Sequence, residues 1–366
     1  MARYSIDDIR SRIARFPRVE LIHRPTPLRK LERLTAELGG PEIYVKRDDL
    51  TGLAFGGNKS RKLEFIIKDA LSKGRDTVIT WGSLQSNWCL QTAAAAAKHG
   101  LKTILVLFRS YDLPPGYDGN MLLERILGAD MRLVDPPEYG KVVRMEDTMG
   151  LMKEIAGEEA RKGHKPYVVS VGGSMVAGDM DRPLGAISYV DAFAEMLEQT
   201  SALGFVPDAV VHATGSGGTQ AGLLVGARAL TDVCRVVGIS VSDAKEVFAG
   251  WVLDIAGAVN RAMDLGSAAT GKDAIVLDDY MKGGYGAVNK DVADVIRLVF
   301  RAEGIVLDPV YTSKAMIGLI DLVGKGRFRK GEKVVFFHTG GTPALFPNRD
   351  KLIEFLEPRR QAPACG

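Results

Sequence analysis

The chain of 366 residues is 46% hydrophobic and 25% charged, long enough for two domains or one large α/β unit with a sizeable core. A formal net charge of +3, with both signs mixed along the chain, argues against a nucleic-acid partner, and no apolar stretch reaches the length of a membrane span. Cys89, Cys234 and Cys365 form no CxxC pair or Cys/His cluster, which argues against a metal site and a disulfide framework; with no signal-peptide h-region at the N-terminus, the expected location is a reducing cytoplasm.

In chain order, the β-branched runs EIYVK, DTVIT, KTILVLF, MRLV, PYVVSV, AVVHATG, CRVVGIS and EKVVFFHTG predict strands. Amphipathic stretches lie between them, among them Arg61–Ser72, Asn87–His99, Gly119–Leu127 and Val143–Lys162. Strands alternating with helices predict an α/β fold of parallel sheets covered on both faces. Two long Pro/Gly-rich loops, RSYDLPPGYDGN and GGSMVAGDMDRPLG, are long enough to be functional or mobile, and the tail EPRRQAPACG is expected to fray.

Several stretches carry chemistry. In TGLAFGGNKSRKLEF, a glycine turn leads straight into Lys59, Arg61 and Lys62 at the start of an apolar helix. Helix dipoles disfavour cations there, so three of them without an anion would be costly. Lys59 and Lys62 share a helix face. A phosphate near both could take its counter-charge from one and leave the other neutral enough to react with an aldehyde. Pyridoxal phosphate (PLP) meets that description; the alternative is a solvated basic helix start. In HATGSGGTQAG, a strand runs into Thr214, Gly215, Ser216, Gly217, Gly218 and Thr219 and then a helix, which is either an anion cradle or a tight turn. The glycine spacing is wrong for a dinucleotide fingerprint, and no acidic ribose partner follows. In FFHTGGTPALF, a second strand ends at Thr339, and ligands of such sheets bind beyond the carboxyl ends of strands. In TWGSLQSNWCLQT, Gln85, Ser86 and Asn87 open an Ala-rich helix; Ser86 or Asn87 can cap it, or the segment can bind a carboxylate.

The motifs GGNKSRKLEF, QSN, TGSGGTQAG, GYG, RAEGIVLDPVYTSKAM and FFHTGGTPALF, in this order, resemble the D-cysteine desulfhydrase and 1-aminocyclopropane-1-carboxylate (ACC) deaminase family. That family belongs to the tryptophan-synthase-β-like, fold type II PLP enzymes. The resemblance runs from about Arg15 to Leu356. It implies two parallel-sheet α/β domains with PLP in the cleft between them: residues 1–61 plus 171–366 as the large domain and 62–170 as the small one. It implies Lys59 as the residue that binds PLP covalently, and Lys62 with the backbone of Gly215 to Thr219 as phosphate ligands. Asn87 would bond the ring's phenolic oxygen and Thr339 would face the ring nitrogen as a neutral partner. Ser86, with Gln85, Asn87, Trp88 and Thr312, would lie on the substrate side, where Ser86 would sit beside the substrate carboxylate or help move a proton as a catalytic group, and Tyr285 and Tyr311 would line that side as further catalytic groups. A homodimer acting on a small amino acid is the family expectation.

Relatives with ACC deaminase activity resemble VYEGKS where this chain reads VYTSKA, and D-cysteine desulfhydrases carry a threonine at the position of Thr312. The resemblance therefore leans to elimination from D-cysteine, giving pyruvate, ammonia and hydrogen sulfide. ACC deamination, an L-cysteate lyase, and a non-catalytic PLP or amino-acid binder are the competing expectations. The chain departs from the family at Trp88-Cys89-Leu90, where relatives read HAR or QTR, and at Met175 to Arg182, which reads as an insertion in a loop bordering the substrate.

Overall fold

The β-branched runs pair into two separate sheets. The computed structural model describes residues 4–110, 116–139, 143–266 and 269–357; residues 111–115 of the first long loop, and the tail with Cys365, lie outside them. The strands are β1 (Leu28–Lys30), β2 (Glu42–Arg47), β3 (Thr77–Ser83), β4 (Lys102–Phe108), β5 (Asp130–Val134), β6 (Pro166–Val168), β7 (Ala209–Thr214), β8 (Arg235–Ser240), β9 (Ile275–Leu277) and β10 (Lys333–His338). The helices are α1 (Ile6–Ile13), α2 (Glu32–Leu38), α3 (Asn58–Ser72), α4 (Asn87–Lys98), α5 (Gly119–Ile126), α6 (Met145–Arg161), α7 (Leu184–Ala202), α8 (Gly218–Leu230), α9 (Lys245–Met263), α10 (Lys290–Glu303), α11 (Thr312–Gly324) and α12 (Arg349–Leu356).

The larger sheet runs β1-β2-β10-β7-β8-β9 and the smaller β5-β4-β3-β6. All pairings are parallel except β1 with β2. Central strands such as β7 and β10 are buried almost throughout, as expected where helices cover both faces. One large core joins α3, α4, α7, α8 and α9 to the sheets, and a second packs α2, α10 and α11 on the other face of the larger sheet.

Strand order reverses beside β7, with β8 on one side and β10 on the other, and beside β3, with β4 on one side and β6 on the other. Such switch points open a crevice at the carboxyl ends of the strands. Here those ends are Thr214 and His338 in one sheet and Ser83 and Val168 in the other.

The segment Met175 to Arg182 folds back along the free edge of β6. The Asp179 carboxylate accepts from Val168 N (2.7 Å), and Asp179 N donates to the Val168 carbonyl (2.9 Å). Gly178 sits at φ +65°, where a Cβ would lie 2.3 Å from that carbonyl oxygen. Lys73 and Arg75 bind Asp179 from the end of α3.

Candidate active site

The strand ends converge on a cavity of about 980 Å³, its open mouth included. Its wall contains Ser83 after β3, Ser110 after β4, Val171 and Gly172 after β6, Thr214 to Gly217 after β7, Ser242 after β8 and Thr339 after β10. Lys59, Ser86, Asn87, Trp88, Thr219, Tyr285 and Tyr311 complete the predicted set within it.

Lys59 lies in the first turn of α3, which no side chain caps. Its amine donates to Asn58 Oδ1 (3.1 Å), and Asn58 in turn donates to Thr219 Oγ1 (3.1 Å), joining the two glycine turns. Burial within the cavity pulls the Lys59 pKa down to about 8, and Asp308 holds it partly up.

The basic cluster splits into three environments. Arg61 turns away from the cavity: it donates twice to Asp48 (2.9 and 2.9 Å) and, at 2.8 Å, to Glu195, which also receives Lys46 at 2.6 Å. Burial alone would lower the Arg61 pKa, but these two carboxylates outweigh it and hold it well above its ordinary range. The anion expected to offset three cations is therefore, for Arg61, supplied by the protein. Lys62 is fully buried, with its amine on the Gly172 carbonyl (3.3 Å) and Ser174 Oγ (3.2 Å). Burial, and then the charge of Lys59, push its pKa well below that of a free lysine.

Lys62 thus sits behind the cavity wall, and Gly218 sits with it. A Cβ on Gly218 would lie 1.9 Å from Ser174 Oγ, so glycine is required for the first turn of α8 to close over Ser174 and Lys62. No side chain caps α8, whose N-cap Gly217 is left-handed at φ +73°. An uncapped helix start with a buried amine behind it suits a phosphate. Lys59 on the wall and neutral Thr339 at the end of β10 suit the rest of a PLP molecule, so the residues present fit that cofactor.

On the opposite wall, Ser86 caps α4 by accepting from Cys89 N (3.2 Å). Gln85 does not reach the cavity. Its side chain bonds the Asp118 carbonyl (2.9 Å) and Asn120 N (2.8 Å), tying the β3–α4 turn to the start of α5. Asn120 Nδ2 donates to Asn87 Oδ1 at 2.9 Å, which leaves the Asn87 NH2 free to donate elsewhere. Trp88 is anchored through Nε1 to Thr80 Oγ1 (2.7 Å) and lies against the wall.

Thr312 also lies outside the wall. It is fully buried, and its hydroxyl and N–H both donate to Asp308 Oδ1 at 2.6 and 2.7 Å. Asp308 takes the N–H groups of Val310 and Tyr311 as well, at 2.8 and 2.9 Å. This clasp sets the turn that delivers Tyr311 to the cavity. None of Met175 to Arg182 lines the cavity; the segment expected as an insertion borders a sheet edge. The sequence reasoning missed Asp308, Asn120, Ser83 and Ser242; for Asp308 the LDP triplet just ahead of a helix was the available signal, since Asp favours exactly such local backbone bonds there.

Tyr285 Oη meets Ser83 Oγ at 3.1 Å and Tyr311 Oη at 2.5 Å, so one phenol links the end of β3 to the turn before α11. Burial pushes the Tyr285 pKa up, which keeps the phenol a proton donor at neutral pH. Lys59, Tyr285 and Tyr311 are the titratable groups of the wall among the described residues; it holds no Asp, Glu, Arg or His.

The model of the family described as pyridoxal-phosphate dependent enzyme matches residues 19–340. An ACC deaminase of Burkholderia vietnamiensis is 42% identical over 340 residues, covering 91% of this chain and 96% of that one. A D-cysteine desulfhydrase of Klebsiella pneumoniae is 41% identical over 341 residues, covering 91% and 97%. The crystal structure of an ACC deaminase homologue superposes with a TM-score of 0.84 at 40% identity, over 95% of this chain and 99% of the other. Similarity of that extent, over a cavity whose lysine and glycine turns fit the cofactor, means that the chain belongs to the pyridoxal-phosphate-dependent enzymes of fold type II and is a lyase like the ACC deaminases and D-cysteine desulfhydrases.

Proposed function

We propose that the enzyme eliminates the β-substituent of a small amino acid, with D-cysteine as substrate: D-cysteine and water give pyruvate, ammonia and hydrogen sulfide. The observation that carries this reading is the chemistry of the wall. It offers an amine and two phenols but, among the described residues, no carboxylate, and Thr312 is spent on Asp308. Removing the Cα hydrogen of cysteine needs one base near that carbon, and the sulfur leaves without strong acid assistance. Opening the ring of ACC, which has no Cα hydrogen, needs further acid–base groups close to the ring.

PLP, when bound, supplies the electron sink that makes the Cα hydrogen acidic. Lys59 would bind the cofactor covalently and would serve as the base at Cα; burial, which pulls its pKa down to about 8, leaves the amine neutral part of the time at neutral pH. The backbone of Gly215 to Thr219 would hold the phosphate at the α8 N-terminus, with the Lys62 amine behind it. Asn87, oriented by Asn120, would donate to the phenolic oxygen of the ring, and Thr339 would face the ring nitrogen without a charge. Ser86 and the start of α4 hold the substrate carboxylate, beside Trp88. Tyr285 and Tyr311 stand on the substrate side, where a phenol can hold or return a proton.

The small domain in this reading is residues 62–170, which contains all four strands of the smaller sheet, and its closure excludes water. The boundary at 61/62 falls inside α3. A homodimer belongs to the same reading and is tested by sedimentation. The substrate test is a panel of D- and L-cysteine, β-chloroalanine, L-cysteate, D-serine and ACC, scored for pyruvate, 2-oxobutyrate and ammonia. Pyruvate from D-cysteine or β-chloroalanine with little 2-oxobutyrate from ACC is expected. Efficient turnover of ACC with inert cysteine overturns the reading in favour of ACC deamination.

A further inference from the structure

Tyr285 reaches the cavity from a segment with little regular structure. In MKGGYGA, Lys282, Gly283, Gly284 and Gly286 all have left-handed φ angles, from +54° to +99°. At its start the segment is tied down by Asn289, which donates to the Lys282 carbonyl (3.0 Å), and by a Lys282–Asp291 ion pair (2.9 Å). Its centre is held differently. Lys314, in the first turn of α11 and fully buried, sends its amine to the Gly284 carbonyl at 2.5 Å, an oxygen that also accepts from Ala287 N (3.3 Å). A buried lysine amine is costly unless its bonds repay the lost hydration. Asp308 is its carboxylate neighbour, yet that carboxylate is already filled by Val310, Tyr311 and Thr312. A buried amine placed on one main-chain carbonyl, one residue before a phenol of the reaction cavity, is a costly arrangement for packing alone.

We propose that Lys314 is a positioning residue for the reaction: its bond to Gly284 fixes the glycine-rich segment so that the Tyr285 hydroxyl stays on Ser83 and Tyr311 across the cleft. The inference rests on the reading of Tyr285 as part of the substrate side. Because α11 also begins directly after Tyr311, one helix turn sets both phenols: Tyr311 through the chain, Tyr285 through the Lys314 amine.

The test is a double-mutant cycle on the holoenzyme, with β-chloroalanine as substrate and pyruvate as the readout. Lys314→Met lowers kcat/KM about 10- to 100-fold, the worth of one charge-assisted hydrogen bond. Tyr285→Phe is itself impaired, and the double variant falls no more than about twofold below Tyr285→Phe alone, because both substitutions remove the same interaction. Lys314→Arg, which keeps a donor, recovers part of the loss. A second arm needs no substrate: trypsin cuts the Lys282–Gly283 bond of Lys314→Met holoenzyme faster than that of the parent, with the fragments identified by mass, while melting temperatures show that both remain folded. If Tyr285→Phe is fully active, the reading of the site falls and this proposal with it. If Tyr285→Phe is impaired but the two losses multiply, or if cleavage at Lys282 is unchanged, the proposal alone is overturned.

Discussion

The two sides of the first turn of α3 treat positive charge in opposite ways. On one side Arg61 is bound by Asp48 and Glu195, and its charge is fixed at every physiological pH. On the other, Lys59 and Lys62 meet only neutral acceptors, Asn58 Oδ1, the Gly172 carbonyl and Ser174 Oγ, and both pKa values fall. The difference is drawn within four residues. Where the protein supplies the counter-ion, the cation fastens the helix to the turn after β2 and to α7. Where no carboxylate bonds the amines, burial lowers both pKa values.

Substitution on the two sides should break this contrast in different observables. Lys59→Ala should lower turnover by at least about 10³-fold, the upper range for a lost acid–base group, and borohydride reduction followed by peptide mapping should no longer place label in α3. Its melting temperature should hold or rise, since a buried amine is removed; label transferred wholly to Lys62 in the parent enzyme would reverse the assignment. Arg61→Met should act the other way, destabilising by about 3–5 kcal/mol in urea titration because Asp48 and Glu195 are left buried without their partner. Lys62→Met should weaken cofactor retention about 10- to 100-fold while leaving the stability of the cofactor-free protein unchanged within about 1 kcal/mol.

A pH titration sharpens the same comparison with a smaller effect. The neutral Lys59 amine is the form that attacks an aldehyde. With a pKa of about 8, about a tenth of it is neutral at pH 7 and most of it at pH 9. Cofactor uptake by the cofactor-free protein, followed by visible absorbance, should therefore accelerate about tenfold between those values and then level. The linkage has the matching sign. Between about 8 and the unfolded value of 10.5 the unfolded chain binds the extra proton, so the destabilisation that Lys59 imposes fades as pH rises. An uptake rate that is flat across pH 7–9 would falsify the depressed pKa. Smallest of all, Thr312→Val should cost about 1–3 kcal/mol by stripping a buried donor from Asp308, with cofactor attachment intact.

Much of this was legible in the sequence because parallel strands announce themselves. Each of the eight β-branched runs became a strand, and the glycine turns after β7 and β10 fell at a switch point, where a ligand crevice forms. The strands that were missed, LRK and IVL, are three-residue pieces too short to show a period. Side-chain direction was the harder inference. Spacing placed Lys59 and Lys62 on one face but could not show that Lys62 stops one layer behind the wall, against Ser174. Nor could it show that Gln85 and Thr312, both next to cavity residues, point into the protein. Those outcomes depend on partners far along the chain, such as Asn120 for Gln85, and local pattern does not encode them.

The strand β6 ends the smaller sheet, and an uncovered edge of that kind offers its N–H and C=O groups to any extended chain, including a second copy of the same protein. At Val168 both groups are taken by Asp179, one by its carboxylate and one by its backbone, and an approaching strand would have to bury that carboxylate and break its pair with Arg75. The segment between Met175 and Arg182 therefore covers this edge at Val168 and keeps it from pairing with another chain, and none of its residues lines the cavity.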